Sequence, residues 1–419
     1  MLESGIMANE LEPVIRRGLV LFALIAGLVS PASAMRHITV AQLEKTLANE
    51  AAKRRSDGDM MREFGGFDLT ERLTDTARNR ISTSLHLGPL TTLALQLKAD
   101  ESALLDPPAD ELPAAPPPDA ATEKRILDAA VSWVTGTLPH LPDFLATRST
   151  TTFNNTAQIL KVNEWPVYAG LHLVGQSSRE ITFRDDHEVS AAAPARGMAA
   201  TPGAGRPTER GLQAYGEFGS LLGLVFVDAA KGKISFRHWE QAPAGRVAVY
   251  GYSVPKAESH YSVNYCCLME GLRTSARGGG RRGGGGGSTT VPTSAATPFH
   301  KVPGYHGSLF IDPATGVVLR MTLEAEMDDS PVSRAATVIE YGPVVIGDRR
   351  FICPLRSMNL YEGPLEPGPQ ASELPVAVTP ALEPKGTLYM NETSFNNYHR
   401  LGSEIRILPA ADPAAAVNR

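Results

Sequence analysis

The side chains able to do chemistry in this chain are scattered. Ten histidines run from His37 to His399 with no HExxH and no pair at the i, i+4 spacing that sets two imidazoles on one helix face for a metal. The one dense polar cluster is Asp185-Asp186-His187. It offers three cation ligands in a row, but Asp is favoured in turns because its side chain bonds the nearby backbone, so the cluster reads as a hairpin turn. Asp328-Asp329 before Ser330-Pro331 reads the same way. His238 beside Trp239 and His260 beside Tyr261 are single histidines on strand-like runs, where a structural role is the common one. No GxSxG elbow, P-loop or dinucleotide fingerprint occurs. The sequence thus names no catalytic residue, and it calls for no metal and no cofactor.

Three cysteines remain. Cys266 and Cys267 are adjacent on a strand-like run, so their side chains face opposite ways and only one can share a face with Cys353. Cys267 has the parity of Tyr261, Val263 and Tyr265. The expectation is a Cys267–Cys353 disulfide, with Cys266 as the other partner and three free thiols as the alternative. An oxidising compartment is implied by the N-terminus. Arg16-Arg17 precede the apolar run Gly18–Ser30, and Pro31-Ala32-Ser33-Ala34 follows. A basic flank, a short apolar core and an Ala-x-Ala end are what a signal peptidase reads. The run is shorter than the roughly 20 residues that span a bilayer. Residues 1–34 are therefore read as a signal peptide cleaved after Ala34, leaving a periplasmic or secreted protein without a stable transmembrane span.

The elements that position these residues fall into two kinds. Residues 35–142 read as helical. Thr39 with Gln42 forms a capping box ahead of Leu43 and Leu47. Thr70 is placed to cap a helix carrying Leu73, Ala77 and Ile81, and Gly88-Pro89 opens another with Leu90, Leu93, Ala94 and Leu97. A Pro-rich linker covers 106–118, and Asp119 caps a helix with Ile126, Leu127, Ala130, Val131 and Val134 as its stripe. Beyond residue 142 the period becomes two. Gly316–Glu326 alternates, with Val317, Leu319, Met321, Leu323 and Ala325 on one face, and it joins Tyr305–Ile311 through a hairpin ending in Gly316. Between the strand runs lies Gly216–Ala230, apolar nearly all round and read as a buried helix. Residues 143–409 are thus a large antiparallel β domain with flexible inserts at 191–209, 273–298 and 363–386, followed by a tail, 410–419.

Composition bounds the function. With 42% hydrophobic residues the chain builds real cores. A net charge of −5 lacks the basic footprint of a nucleic-acid binder. The Arg277 and Arg281-Arg282 positions in the Gly-rich insert have no aromatic neighbours and read as part of a flexible loop, so no nucleic-acid partner is expected.

Gly304-Tyr-His-Gly307, Phe310-Ile-Asp-Pro-Ala-Thr-Gly-Val-Val-Leu-Arg320, Ile339-Glu-Tyr-Gly-Pro343 and Tyr398-His399 together resemble a group of uncharacterised secreted bacterial proteins. The hairpin among them is also similar to the periplasmic lipoprotein-carrier superfamily, which includes the regulator of the envelope-stress sigma factor. That resemblance, over residues 144–408, implies a half-open antiparallel barrel holding acyl chains in an apolar concavity. The fold expected is α+β: an N-terminal helical region, then a curved half-barrel sheet wrapped around the apolar helix. Phe218, Leu221, Leu222, Val225, Leu319 and Met321 are the candidate ligand-binding residues. The function read from this is a non-enzymatic envelope protein binding a lipid, a lipidated peptide or an envelope protein partner. A ligand-free scaffold and an extracellular hydrolase are the alternatives.

Overall fold

The computed structural model describes residues 36–157, 170–189, 211–212, 216–242, 245–269, 296–328, 330–365 and 386–401. The expected signal peptide 1–34 and tail 410–419 lie outside the described residues, as do all but the margins of the three inserts. Among the described residues no helix is long and apolar enough to cross a membrane. The chain divides into two compact units, the first built on residues up to Pro108 and the second on Ala109–Phe153, Leu173–Gly363 and Tyr389 onward.

The first unit contains β1 (Arg36–Ile38), α1 (Val40–Ala52), α2 (Asp57–Glu63), β2 (Phe67–Leu69), α3 (Asp75–Leu85) and α4 (Pro89–Glu101). Local chemistry sets the helix starts. Thr39 Oγ1 accepts from Gln42 N at 3.2 Å and Gln42 Oε1 accepts from Thr39 N at 3.0 Å, the reciprocal capping box. Helix α3 is capped by Thr74, not Thr70. Thr70 is held instead at the end of the parallel β1–β2 pair, its N–H donating to Ile38 O at 3.0 Å. Gly88 gives α4 no side-chain cap, and Asp57 fills the role by accepting from Leu90 N and Thr91 N, both at 2.9 Å. Leu43, Leu47, Phe67, Ile81 and Leu95 close the core between these elements.

The second unit begins with α5 (Ala120–Thr137), capped by Asp119, and continues with β3 (Phe144–Asn154), β4 (His172–Arg184), β5 (His187–Val189) and β6 (Gly211–Leu212). Then come α6 (Ser220–Ala229), β7 (Lys233–Ala242), β8 (Gly245–Val254), β9 (Val263–Met269) and β10 (Ala296–Lys301). The chain closes with β11 (Tyr305–Ile311), β12 (Val318–Ala325), β13 (Arg334–Ile346), β14 (Arg349–Gly363) and β15 (Thr387–Arg400). Ten strands form one sheet in the order β5-β4-β3-β15-β14-β13-β12-β11-β8-β7, and β10-β9-β6 form a small second sheet.

The helical start followed by a large antiparallel sheet agrees with the sequence, but the sheet is neither closed nor strongly curled. The helices explain why a half-barrel is not needed. The α5 stripe Ile126, Ala130, Trp133 and Val134 joins Leu221, Leu222 and Val225 of α6 in one core against the sheet. Two helices cover what one was expected to plug, and α6 keeps a wet side, with Val227 60% exposed. Helix α5 therefore belongs with the sheet and not with the N-terminal helical region 35–142, because its apolar stripe is satisfied there. The β11–β12 hairpin presses on it. Gly316 has φ +76, and a Cβ there would lie 2.4 Å from the carbonyl carbon of Ala129.

Two further expectations change. Leu319 does not share a face with Met321. A bulge pairs Phe310 with Arg320 and Ile311 with Val318, so Leu319 is the extra residue and parity inverts across it. Val318 turns to the helices, while Leu319 packs with Val247, Val249 and Phe310 on the opposite face. Cys353 is a free, buried thiol, pushed up to about 12 by burial. The Cys267–Cys353 bridge is not formed. Tyr265 of β9 packs on Tyr361 with ring centroids 5.0 Å apart, and Tyr361 lies eight positions along β14 from Cys353, roughly 26 Å at strand rise. A disulfide needs Cα atoms within about 7 Å.

Candidate functional site

The helix-side face of the sheet is two surfaces in one. Under α5 and α6, strands β8, β11 and β12 present Ala248, Tyr250, Leu309, Met321 and Leu323, all buried in the main core. From β13 to β3 polar side chains interrupt that face, set among Ala335, Ile339, Tyr341, Tyr361 and Tyr389 of the same core. Thr337 Oγ1 donates to Asn359 Oδ1 at 2.8 Å, and Thr152 Oγ1 donates to Asn391 Oδ1 at 2.8 Å. Thr150 and Thr393 share a hydrogen bond of 3.0 Å. The Tyr361 and Tyr389 rings of β14 and β15 stack with centroids 4.9 Å apart. Polar pairs thus join β13 to β14 and β15 to β3, and Thr150, Thr152 and Asn391 are partly open to solvent.

The charged end of this polar half is built by a turn. Gly216 and Gly219 have φ +93 and +118, conformations that side chains resist. Between them the chain drives Glu217 and Phe218 into the protein. Phe218 enters an aromatic cluster with Phe144, Phe183, Phe395 and Tyr398, ring centroids 5.3–6.4 Å apart. Glu217 meets Arg148 of β3. Arg148 Nη2 donates to Glu217 Oε2 at 3.0 Å, while its fork is bidentate to Glu188 of β5 at 3.0 and 2.9 Å. Ser357 Oγ lies 3.4 Å from the other Glu217 oxygen, and the guanidinium carbon sits 5.3 Å from the Phe395 ring. Arg148 Nε and the Tyr341 hydroxyl are buried without a hydrogen-bond partner among the described residues. Burial pushes the Glu217 carboxyl above the usual carboxylate range, and Glu188 adds to the push, against the pull of Arg148. The arrangement can hold or pass a proton and can present a guanidinium to a polar group.

A second station lies at the other end of α6. Asp228 is fully buried. It accepts from Tyr305 Oη at 2.9 Å, from His260 N at 2.9 Å and from His260 Nδ1 at 2.6 Å. Burial alone would raise this carboxyl, but the three donors outweigh it and hold Asp228 below the usual range. With Nδ1 engaged, His260 offers Nε2 outward on a side chain 61% exposed. That is the orientation an aspartate gives a histidine used as a general base, though no nucleophile stands in hydrogen-bond contact with it among the described residues.

The six residues expected to line a cavity are placed as follows. Leu221, Leu222, Val225 and Met321 are buried together in the main core, Phe218 lies in the aromatic cluster, and Leu319 faces away. The other chemical candidates are ordinary. Asp185 and Asp186, with φ +50 and +64, form the β4–β5 turn, and His238 pairs with Glu240 at 2.9 Å on β7. Sequence reasoning missed Arg148, Glu188, Glu217 and Asp228, whose partners are far away in the chain. One signal was available: a lone acid between two glycines at the head of an apolar run, Gly216-Glu-Phe-Gly219. Compared with protein-family models, with curated proteins and with solved structures, the chain matches none.

Proposed function

We propose that this is a non-enzymatic binding protein of the cell envelope, and that the polar half of its sheet recognises the headgroup or peptide portion of a lipidated partner. The observation that carries the reading is the set of hydroxyl, amide and guanidinium side chains on β13, β14, β15 and β3, on a sheet face that is apolar throughout β8, β11 and β12. Core packing explains the apolar strands. It does not call for hydroxyls, amides and an arginine on the others, where each buried polar group must be hydrogen-bonded to be tolerated. The likeness of the Asp312–Arg320 hairpin to lipoprotein carriers, and the export segment at 1–34, support the same reading. The packed apolar half argues against an acyl chain lying along Leu221, Leu222 and Val225. To test this, protein purified from the envelope is analysed by mass spectrometry for retained lipids and peptides. Wild type should retain a defined species that Thr152→Val with Asn391→Leu loses. An empty wild type, or variants that retain the same species, contradicts the reading.

One observation favours a hydrolase instead, the Asp228–His260 pair with its outward ring. Turnover of esters, peptides or glycosides that His260→Ala abolishes would establish it.

A further inference from the structure

Arg148 is bonded to two carboxylates at once. Arg148 from β3 meets Glu188 from β5 and Glu217 from the turn before α6. The other sides are closed by Tyr341 from β13, Ser357 and Cys353 from β14, and Phe395 and Tyr398 from β15. On the hairpin that carries Glu188, Arg184 lies 3.9 Å from Asp143, and His187 Nδ1 is 2.6 Å from Asp185 O. Within the cluster, two carboxylates thus share one guanidinium. With both ionised, the buried Glu217 carboxylate would have only a shared guanidinium against the loss of its hydration, a situation folded proteins relieve by taking up a proton or by moving a group.

The two carboxylates are not held equally. The Glu217 side chain is 3% exposed and fixed by the two-glycine turn. Glu188 is 23% exposed and sits on a three-residue edge strand, joined to the sheet by the pairs Thr182–Val189, Phe183–Glu188 and Arg184–His187. If repulsion moves one of them, it moves Glu188.

We propose that this cluster is a proton-controlled latch on the edge of the sheet. With one proton on the Glu188–Glu217 pair, Arg148 holds strand β5 closed. Loss of that proton to solvent releases Glu188 and β5, and leaves the guanidinium fork open to an anionic group. Closing reverses the step with uptake of the same single proton. The latch does not depend on the binding function above, since it concerns only the chain's own groups.

Amide hydrogen exchange of residues 182–189 between pH 5 and pH 8, corrected for intrinsic rates, tests it. Wild-type protection should fall with pH, approaching tenfold per pH unit while the proton is being lost, the slope of a one-proton opening. Glu217→Gln should stay protected across the range, because one carboxylate then faces one guanidinium. His187→Asn should keep the wild-type fall, which separates the latch from titration of the hairpin's own imidazole. Flat wild-type protection, or an equal fall in Glu217→Gln, overturns the proposal. Should Glu217→Gln fail to fold, the infrared carbonyl band of a protonated carboxylic acid in wild type at low pH serves instead. The band should vanish in step with the loss of protection, and its absence at every pH overturns the latch.

Discussion

Glu217 and Asp228 flank the two ends of helix α6, both carboxyls out of contact with water, and they are driven in opposite directions. Asp228 has three donors of its own, two of them on a single residue, His260. Glu217 has half of an arginine, shared with Glu188, its own backbone N–H and a distant serine. Burial costs each carboxylate its hydration, so how close the donors lie and whether they are shared decide whether the charge survives. The Asp228 end is a finished structural joint between a helix terminus, Tyr305 and the 255–262 segment. The Glu217 end is unfinished, with Arg148 Nε and Tyr341 Oη without hydrogen-bond partners among the described residues. An unfinished polar group inside a packed protein is where function is to be sought.

The comparison breaks most severely at Arg148. Arg148→Ala leaves the buried Glu217 carboxylate without its guanidinium and facing Glu188, and chemical denaturation should show a loss of about 3–5 kcal/mol. Leu222→Ala is the apolar control between the two ends. It creates a cavity in a fully buried site and should cost roughly 2–5 kcal/mol with no change in pH dependence. Asp228→Asn keeps the shape but weakens three hydrogen bonds and should cost about 1–3 kcal/mol near neutral pH. Its folded carboxyl lies below the unfolded value, so its stabilisation is present above about pH 4 and fades as pH falls through the folded value. The cost of Asp228→Asn should therefore shrink in acid. Glu217 runs the other way. Its folded carboxyl lies above the unfolded value, so its contribution is full below about pH 4 and is lost as pH rises through the folded value. Glu217→Gln should change stability least, and should flatten the decline expected of wild type as pH rises through the folded Glu217 value.

Much of this frame was legible from residues that act locally. The Thr39–Gln42 box, Asp119 before α5 and the Asp312–Gly316 hairpin each satisfy their own backbone groups within a few residues. They fell where the sequence placed them. Helix α6 was legible because a run this apolar must be covered on most sides. The errors share a different origin. Leu319 was misplaced because a bulge adds one residue without any change in the alternation read from composition. Helix α5 was grouped with its sequence neighbours because an apolar stripe does not say which surface it meets. The disulfide was drawn from parity, which fixes a face but not a distance. The site itself was hidden for the same reason. Arg148, Glu188 and Glu217 are separated by 40 and 69 positions from the arginine outward, and only the strand order β5-β4-β3 with the turn before α6 brings them together.

The central claim is that the two ends of α6 hold their carboxyls in opposite protonation regimes. Carboxyl carbon NMR titration, with Glu217→Gln and Asp228→Asn used to assign the signals, measures this directly in the folded protein. The account predicts a Glu217 midpoint above the ordinary glutamate value of about 4.3 and an Asp228 midpoint below the ordinary aspartate value of about 3.9. A Glu217 midpoint at or below the ordinary value would contradict it.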